Sequence, residues 1–403
     1  MKKRIKKSPE QKIKFLIPNS SNWEDINPEK SQNSDESETN KNRELLNQHL
    51  LSAMQMQNIV VLAGSGTSLG NAQGPSMKDL WNLCTKEKKQ KEFTSDALGI
   101  FKITSYDISD ESKVNIEEFL SLCEAHLTIK ENSAIRGFLE KCKQIILSAC
   151  SFQKTEISLA AHKTFIHRLS RRRVRDSRLK LFTTNYDTCF EEAAGSHGIV
   201  VMDGFSFSRP REYNSKFFDY DIVKRSSNSI NTENYLEGVF QLYKLHGSVN
   251  WEQEEGRIIE KDATPQGVRM IFPAKGKYQQ SYIQPHLELM ARYLTALREP
   301  NTCLLIIGFG FNDDHLSEPI LSAIQSNPYI KVVIVDFWAE KNLKNENSDV
   351  SKYWEYLKQL SSKGLDVTFI NANFQDFANL IPDLRSLTPA ERVANAIKGI
   401  TEV

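Results

Sequence analysis

The sequence has no long hydrophobic run, no closely paired cysteines and almost no net charge over its 403 residues. No apolar stretch approaches the roughly 20 residues that a transmembrane helix needs. The basic start MKKRIKKSPEQKIK has no apolar stretch behind it, so we expect no secretory signal and a cytoplasmic protein without membrane contact. The net charge of +1 gives no reason to expect direct sequence-specific nucleic-acid binding. We interpret the basic run at residues 168–178 as a solvated helix end.

The cysteines lack the spacing of a metal or redox motif. None of the six lies in a Cys-x-x-Cys pair, which argues against a zinc site and against a disulfide framework. We expect isolated reduced thiols, mostly buried. They are Cys84, Cys123, Cys142, Cys150, Cys189 and Cys303.

Composition and periodicity divide the chain into three parts. Residues 1–42 are predicted to be a flexible N-terminal tail, since most of them are too polar to pack; docking of the stretch IKFLIP on a neighbouring subunit is the less favoured alternative. Residues 95–173 show apolar positions at three- and four-residue spacing and are predicted to be a helical insertion module. Residues 43–94 and 174–403 alternate apolar strands with amphipathic helices. This alternation predicts an α/β fold with a doubly wound parallel sheet.

A glycine-rich loop follows the first apolar strand, in the sequence NIVVLAGSGTSLG. Gly64 and Gly66 lack side chains, so a phosphate or ribose could approach backbone N–H groups at a helix start. The spacing is not the dehydrogenase fingerprint, because Gly70 follows Gly66 by four residues instead of three. No Gly-Lys-Ser/Thr follows, so the loop is not a P-loop. A glycine turn that serves packing alone is the alternative.

Two further strand ends carry groups suited to catalysis. In LKLFTTNYDTCFEEA, Asn185 and Asp187 stand where a strand becomes a helix, although Asp187 could simply cap that helix. In YKLHGSVNW, His246 ends an apolar run and is followed by a glycine that leaves space beside the ring. Histidine is the side chain best matched to proton transfer near neutral pH.

The C-terminal third adds two more polar strand ends. LLIIGFGFNDDHL places Gly308, Gly310 and Asn312 after a strand, with Asp313 or Asp314 as possible helix caps. VVIVD ends on Asp336, and an acid at this position can bond ribose hydroxyls. Because ligands of parallel sheets bind at the carboxyl ends of strands, four such ends could form one nucleotide crevice.

Taken in order, GSGTS, TTNYD, KLHGSVNW and GFGFNDDHL resemble the sirtuin-like superfamily, whose fold is Rossmann-like. They look most similar to its NAD-hydrolysing branch in bacterial antiphage defence, and within it to the sirtuin-like subunit of Sir–HerA systems, which is paired with a HerA-type DNA translocase. The resemblance implies that His246 is the general base and that Asn185 orients the nicotinamide ribose or the attacking water. It implies that Asp187 holds the carboxamide region or the loop. The remaining NAD+ contacts that it implies are Gly64, Ser65, Gly66, Thr67 and Ser68 for the pyrophosphate and adjoining ribose, and Gly308, Phe309, Gly310, Asn312 and Asp336 for the ribose and adenine side.

The sequence departs from the family pattern in two places. GPSMKDLW replaces the Pro-Asp-Phe-Arg segment of sirtuins, which puts a role for Pro75 or Asp79 in doubt. The zinc ribbon that supports peptide binding in the deacylases is missing, so an acyl-lysine peptide is a poor candidate substrate and no metal is expected.

The resemblance therefore implies an NAD+ glycohydrolase that takes NAD+ as its substrate and releases nicotinamide and ADP-ribose. It would deplete cellular NAD+ in abortive-infection defence, as a homo-oligomer with a HerA-type hexameric translocase ATPase as its partner. Two alternatives stay open. One is a protein deacylase or ADP-ribosyltransferase of the same fold, and the other is a catalytically silent subunit that senses NAD or ADP-ribose.

Overall fold

The structure, a computed structural model, describes residues 12–26, 36–87, 92–110, 114–152, 155, 157–172, 176–223, 235–261, 268–270, 285–344 and 350–384. The strands are β1 (Lys14–Leu16), β2 (Glu24–Asp25), β3 (Asn58–Ala63), β4 (Leu179–Thr183), β5 (Val200–Met202), β6 (Val239–Lys244), β7 (Gly247–Glu254), β8 (Arg257–Glu260), β9 (Val268–Met270), β10 (Thr302–Ile307), β11 (Ile330–Asp336) and β12 (Val367–Asn371). The helices are α1 (Glu36–Met54), α2 (Met77–Thr85), α3 (Ser95–Thr104), α4 (Ile116–Ile129), α5 (Ser133–Cys150), α6 (Ala160–Ser170), α7 (Cys189–Gly195), α8 (His286–Arg298), α9 (Asp314–Ser326), α10 (Ala339–Leu343), α11 (Lys352–Ser362) and α12 (Phe374–Leu380). Within these residues, none of the helices combines the length and the apolar character that crossing a membrane would require.

A nine-stranded sheet in the order β2-β1-β12-β11-β10-β3-β4-β6-β5 forms the centre of the fold. From β12 to β5, each pair of adjacent strands is parallel. The central strands β3 and β10 are buried along their whole length, as strands covered on both faces must be. Helices cover both faces of this sheet, and each face has its own hydrophobic core. One core contains residues of α8, α9 and α11, and the other contains residues of α1, α6, α7 and α12. This arrangement confirms the predicted α/β class with a doubly wound, Rossmann-like parallel sheet.

A separate helical core lies beside the sheet. It is built from α2 to α5 around Trp81, whose indole stacks on Phe101 at 5.7 Å between ring centroids. The helices of this core differ at both ends from the helical module that we expected for residues 95–173. Helix α2 packs into this core, whereas Phe165 of α6 packs against the main sheet. Both helices are amphipathic, and their periodicity does not specify which core they join.

Two short strands within the described residues 12–26 are part of the sheet, in contrast to the flexible tail that we predicted for residues 1–42. Strand β1 pairs antiparallel with β12, with Phe15 opposite Ile370. The Phe15 side chain is fully buried, and Lys14 donates to the Glu340 carboxylate at 2.8 Å. The apolar stretch KFL therefore pairs with its own chain, between β12 and the edge strand β2, and the short apolar run among polar residues gave no clear strand signal in the sequence.

The segment after β6 forms a small second sheet in the order β8-β7-β9. Only Leu245 and His246 separate β6 from β7, so the chain passes from the large sheet to the small one at the histidine. Strand β9 lies within the apolar stretch GVRMIFP, of which residues 267 and 271–273 fall outside the described residues.

Candidate active site

The register of two adjacent strands brings the predicted catalytic residues to one edge of the sheet. Thr183, the last residue of β4, pairs with Lys244, the last residue of β6. Asn185 and His246 each stand two residues beyond this pair. Both side chains are largely buried, with 7% and 8% exposure. The strand ends thus place an amide and an imidazole on neighbouring turns at the carboxyl edge, where ligands of parallel sheets bind.

A network of hydroxyl groups sets the orientation of the Asn185 amide. Its Nδ2 donates to Thr67 Oγ1 at 3.0 Å and to Ser68 Oγ at 2.9 Å. The Thr67 hydroxyl donates to the Gly64 carbonyl, and the Ser68 hydroxyl donates to Asp187 Oδ2 at 2.6 Å. Because both hydroxyl protons are used in this way, each hydroxyl offers Asn185 a lone pair, which selects the NH₂ side of the amide. The Oδ1 acceptor therefore points away from these two hydroxyls.

Asp187 anchors this network as a buried carboxylate. Its Oδ2 accepts from Ser68 and its Oδ1 accepts from the backbone N–H of Cys189, the first residue of α7, at 3.0 Å. Burial acts to raise the pKa of Asp187, but the nearby Lys244 ammonium and the hydrogen bonds from Ser68 and Cys189 outweigh it and lower the pKa. The N-cap of α7 is Thr188 and not Asp187, although Asp187 accepts the N–H of the first helical residue; the bond to Ser68 adds an orienting contact toward Asn185.

Lys244 is a buried cation that sequence reasoning missed. It is 3% exposed, and its Nζ donates to Glu191 Oε1 at 3.0 Å, to the Tyr186 carbonyl at 3.4 Å and to the Asp187 carbonyl. Burial raises the pKa of Glu191, and the Lys244 charge opposes that rise. A lysine inside the apolar run VFQLYKLH was the available signal, since lysine is rarely buried without a partner.

His246 faces a carboxylate that we had assigned only a capping role. Its Nε2 lies 3.4 Å from Asp313 Oδ2. The other oxygen of Asp313 accepts the N–H of His315 at 3.0 Å and so caps helix α9. One aspartate thus begins a helix and places negative charge beside the imidazole, where it stabilises the imidazolium formed by proton uptake.

The glycines of two loops pack directly against each other. The Gly66 N–H donates to the Gly308 carbonyl at 3.0 Å, and a Cβ on Gly66 would lie 2.6 Å from Gly308 Cα. Gly308 has a φ of +58°, which favours glycine. This geometry supports the packing alternative for the glycine loop.

The same loop does not begin a long helix, which corrects that expectation. It forms short 3₁₀ turns over residues 65–67 and 70–72, and α2 begins only at Met77. The N–H groups of Gly64, Gly66, Thr67 and Ser68 already donate to protein carbonyls. Asp79 forms a capping box with Ser76, and this contact explains its presence in GPSMKDLW.

The remaining predicted contacts fall into two environments. Phe309 is 7% exposed and belongs to the hydrophobic core. Ser65, Gly310 and Asn312 are exposed on the same loops. Asp336 Oδ1 accepts the Trp338 N–H at 2.7 Å, and burial raises the pKa of its carboxyl group. The exposed residues and Asp336 are therefore placed where a ligand at the sheet edge could reach them.

The cysteines take no part in this site as nucleophiles. All six are buried, as the sequence predicted, and burial raises the pKa of Cys150 to about 12. A thiol with this pKa is almost entirely protonated near neutral pH. Among the described residues, no group of three or more His, Cys, Asp or Glu side chains could hold a metal ion.

Residues 179–363 match the family model described as a SIR2-like domain. This match spans Asn185, His246, Gly308 and Asp336 and leaves out the glycine loop at residues 64–68. None of the curated protein sequences matches the chain.

Several solved structures are similar over most of the chain at low identity. A Sir2 homologue in complex with NAD is 14% identical, with 83% of this chain and 91% of that chain covered and a TM-score of 0.41. A triple mutant of Sir2 homologues with 2'-O-acetyl ADP-ribose is 11% identical, with coverages of 85% and 98% and a TM-score of 0.39. Sir2 bound to an acetylated peptide is also 11% identical, with coverages of 83% and 95% and a TM-score of 0.38. The sheet topology of the described residues, taken by itself, defines a mixed α/β fold with a mostly parallel, Rossmann-like sheet.

Proposed function

We propose that this protein is an NAD+ glycohydrolase that cleaves NAD+ to nicotinamide and ADP-ribose. The observation that carries the proposal is the pair of Asn185 and His246 at adjacent strand ends, with Asp313 behind the imidazole. The amide oxygen of Asn185 is oriented by the hydroxyl network before any ligand arrives. Such preorganised dipoles around a reacting centre are a major source of catalysis.

The proposed reaction assigns one task to each of these groups. A water oxygen attacks the anomeric carbon of the nicotinamide ribose, and the carbon–nitrogen bond to nicotinamide breaks. The electron pair leaves with nicotinamide, which departs as a neutral molecule and needs no acid. His246 takes the proton of the water, Asp313 stabilises the resulting imidazolium, and the Asn185 oxygen accepts from the water or a ribose hydroxyl.

The rest of the dinucleotide would extend along the loops of the sheet edge. We assign the pyrophosphate and adjoining ribose to the loop of Gly64, Ser65, Gly66, Thr67 and Ser68. We assign the ribose and adenine side to Gly308, Phe309, Gly310, Asn312 and Asp336, with Phe309 supporting that loop from the core. Asp187 would hold the loop through Ser68, since both its oxygens accept protein hydrogen bonds.

Purified protein incubated with NAD+ tests the proposal, with release of nicotinamide as the readout. General-base help is worth about 10²–10⁴-fold, so His246→Ala should lower turnover by that factor and leave ADP-ribose affinity nearly unchanged. His197→Ala, at an exposed position after α7, is the matched control. Binding without turnover would contradict the proposal in favour of a sensor. Peptide-dependent formation of O-acetyl-ADP-ribose, or labelled protein, would favour a deacylase or a transferase.

We further propose a biological setting on the basis of the sequence resemblance. The enzyme would deplete cellular NAD+ in antiphage defence, as a homo-oligomer in the cytoplasm with a HerA-type hexameric translocase ATPase. Light scattering on the purified protein measures its assembly, and co-purification with an ATPase from a flanking gene tests the partnership. A cellular NAD+ level that stays constant during phage infection would contradict the defence role.

A further inference from the structure

We propose that Lys244 is a positioning residue that holds the turn carrying Asn185 and Asp187 in its reactive geometry. The inference rests on the proposed function and adds a group that does not itself touch the substrate. Lys244 ends β6, directly opposite Thr183 at the end of β4. Its side chain therefore reaches across to the turn that follows the neighbouring strand.

The contacts of the ammonium group match its three protons. They go to Glu191 Oε1, the Tyr186 carbonyl and the Asp187 carbonyl. The Glu191 carboxylate alone would balance the buried charge. The two carbonyls add nothing to charge balance, but they belong to the two residues that follow Asn185. A cation that donates to consecutive carbonyls fixes the path of that backbone.

The Asp187 contact extends this constraint to the Asn185 amide. The Tyr186 carbonyl also accepts the N–H of Val249 at 3.0 Å, so it has other support. Lys244 holds Asp187 by its carbonyl, and the carboxylate of Asp187 accepts the Ser68 proton. Ser68 in turn accepts from Asn185. Movement of Asp187 would therefore disturb one of the two hydroxyl contacts that orient the amide and leave only the contact to Thr67.

The test separates positioning from simple charge pairing. Glu191→Gln removes the charge of the partner and serves as the background. Lys244→Met in that background removes the ammonium contacts to both carbonyls and leaves Asp187 as the remaining buried carboxylate of the turn, still bonded to Ser68 and to the N–H of Cys189. We expect the double variant to melt within a few degrees of Glu191→Gln, with kcat for nicotinamide release lower by about 10–100-fold and KM changed less than about threefold. Lys180→Met is the matched control. Lys180 is a half-buried lysine near the start of β4, away from the site, and pairs with Glu299, so this variant should keep full activity.

Amide hydrogen exchange supplies a readout that does not depend on activity. A peptide covering residues 184–188 should exchange faster in the double variant than in Glu191→Gln. Equal turnover and equal exchange in these two proteins would overturn the proposal. Lys244→Gln in the Glu191→Gln background also lacks the ammonium group. If the methionine variant fails to fold, this glutamine variant is compared with Glu191→Gln in its place. If the unmodified protein releases no nicotinamide, the proposed function fails, and exchange alone then decides the role of Lys244.

Discussion

Replacing Ser68 with alanine should break the link between Asn185 and Asp187. The Ser68 side chain is 5% exposed, donates to Asp187 Oδ2 at 2.6 Å and accepts from Asn185 Nδ2 at 2.9 Å. Alanine leaves one buried carboxylate oxygen without its hydroxyl donor and one amide hydrogen without its acceptor. Water has little access to replace either bond at this depth.

The expected loss follows from the two bonds. A hydrogen bond to a charged group contributes about 1.5–3 kcal/mol, and a neutral one about 0.5–1.5 kcal/mol. Ser68→Ala should therefore lower the free energy of unfolding by about 2–4.5 kcal/mol at pH 7. Ser361→Ala is the matched control, because Ser361 is equally buried but donates to the Val367 carbonyl at 2.8 Å. It should cost about 1 kcal/mol.

The loss should also depend on pH. The folded-state pKa of Asp187 lies below its unfolded value, so its ionised form contributes stability above the unfolded pKa of about 3.9. This contribution disappears as the pH falls through the folded pKa. Without Ser68, one of the groups that lower this pKa is missing, and the folded pKa should rise toward the unfolded value. The difference between Ser68→Ala and the unmodified protein should therefore be full at pH 7 and shrink below about pH 4.

Urea unfolding of both proteins, followed by circular dichroism, measures this difference across the pH range in which they remain folded. The Ser361→Ala control should show a constant difference over the same range, since it alters only a neutral bond. A Ser68→Ala loss below about 1 kcal/mol at pH 7, or one that does not change with pH, would refute the reasoning.

Three further changes test other parts of the structure. Gly308→Ala should cost more than about 2 kcal/mol of unfolding free energy, since its Cβ would lie 2.6 Å from Gly66 Cα, whereas Gly99→Ala inside helix α3 meets open space and should stabilise by about 0.5–1 kcal/mol. Phe15→Ala should lower the free energy of unfolding by about 3–5 kcal/mol in the same urea assay. An unchanged free energy of unfolding would contradict the packing of β1 into the sheet. Asp313→Asn keeps a good helix cap but removes the charge beside the imidazole, so kcat should fall at least about tenfold with little change in melting temperature; unchanged kcat would leave Asp313 as a cap.

The central sheet could be predicted because its signal is local. Strands β3, β10 and β11 are apolar on both faces, and this pattern is typical of covered parallel strands. Strand β1 has only three residues and depends on its pairing with β12, a contact more than 300 residues away in sequence. No periodicity can be read from so short a segment. Long-range pairing therefore determined the part of the sheet that the sequence did not reveal.

The residues of the candidate site also divide into those with a local sequence signal and those that depend on long-range contacts. Asn185 and His246 were recognisable because each follows an apolar strand directly. Lys244 and Asp313 gained their roles only through the register of β4 with β6 and through the turn before α9. A side chain that acts by reaching across strands leaves no spacing signal within its own segment.

The glycine-containing strand ends and the polar turn after β4 support the proposed function to different degrees. The contact of Gly64 and Gly66 with Gly308 joins the ends of β3 and β10, so packing alone requires these glycines whether or not a dinucleotide binds. The chain from Asn185 through Ser68 to Asp187 has no such explanation. Replacing both partners of a buried hydrogen bond by apolar groups of the same shape can be nearly neutral, so packing alone does not require polar side chains at these positions. A fully satisfied polar chain that presents one amide oxygen at the carboxyl edge of the sheet is therefore the stronger argument for chemistry at this site.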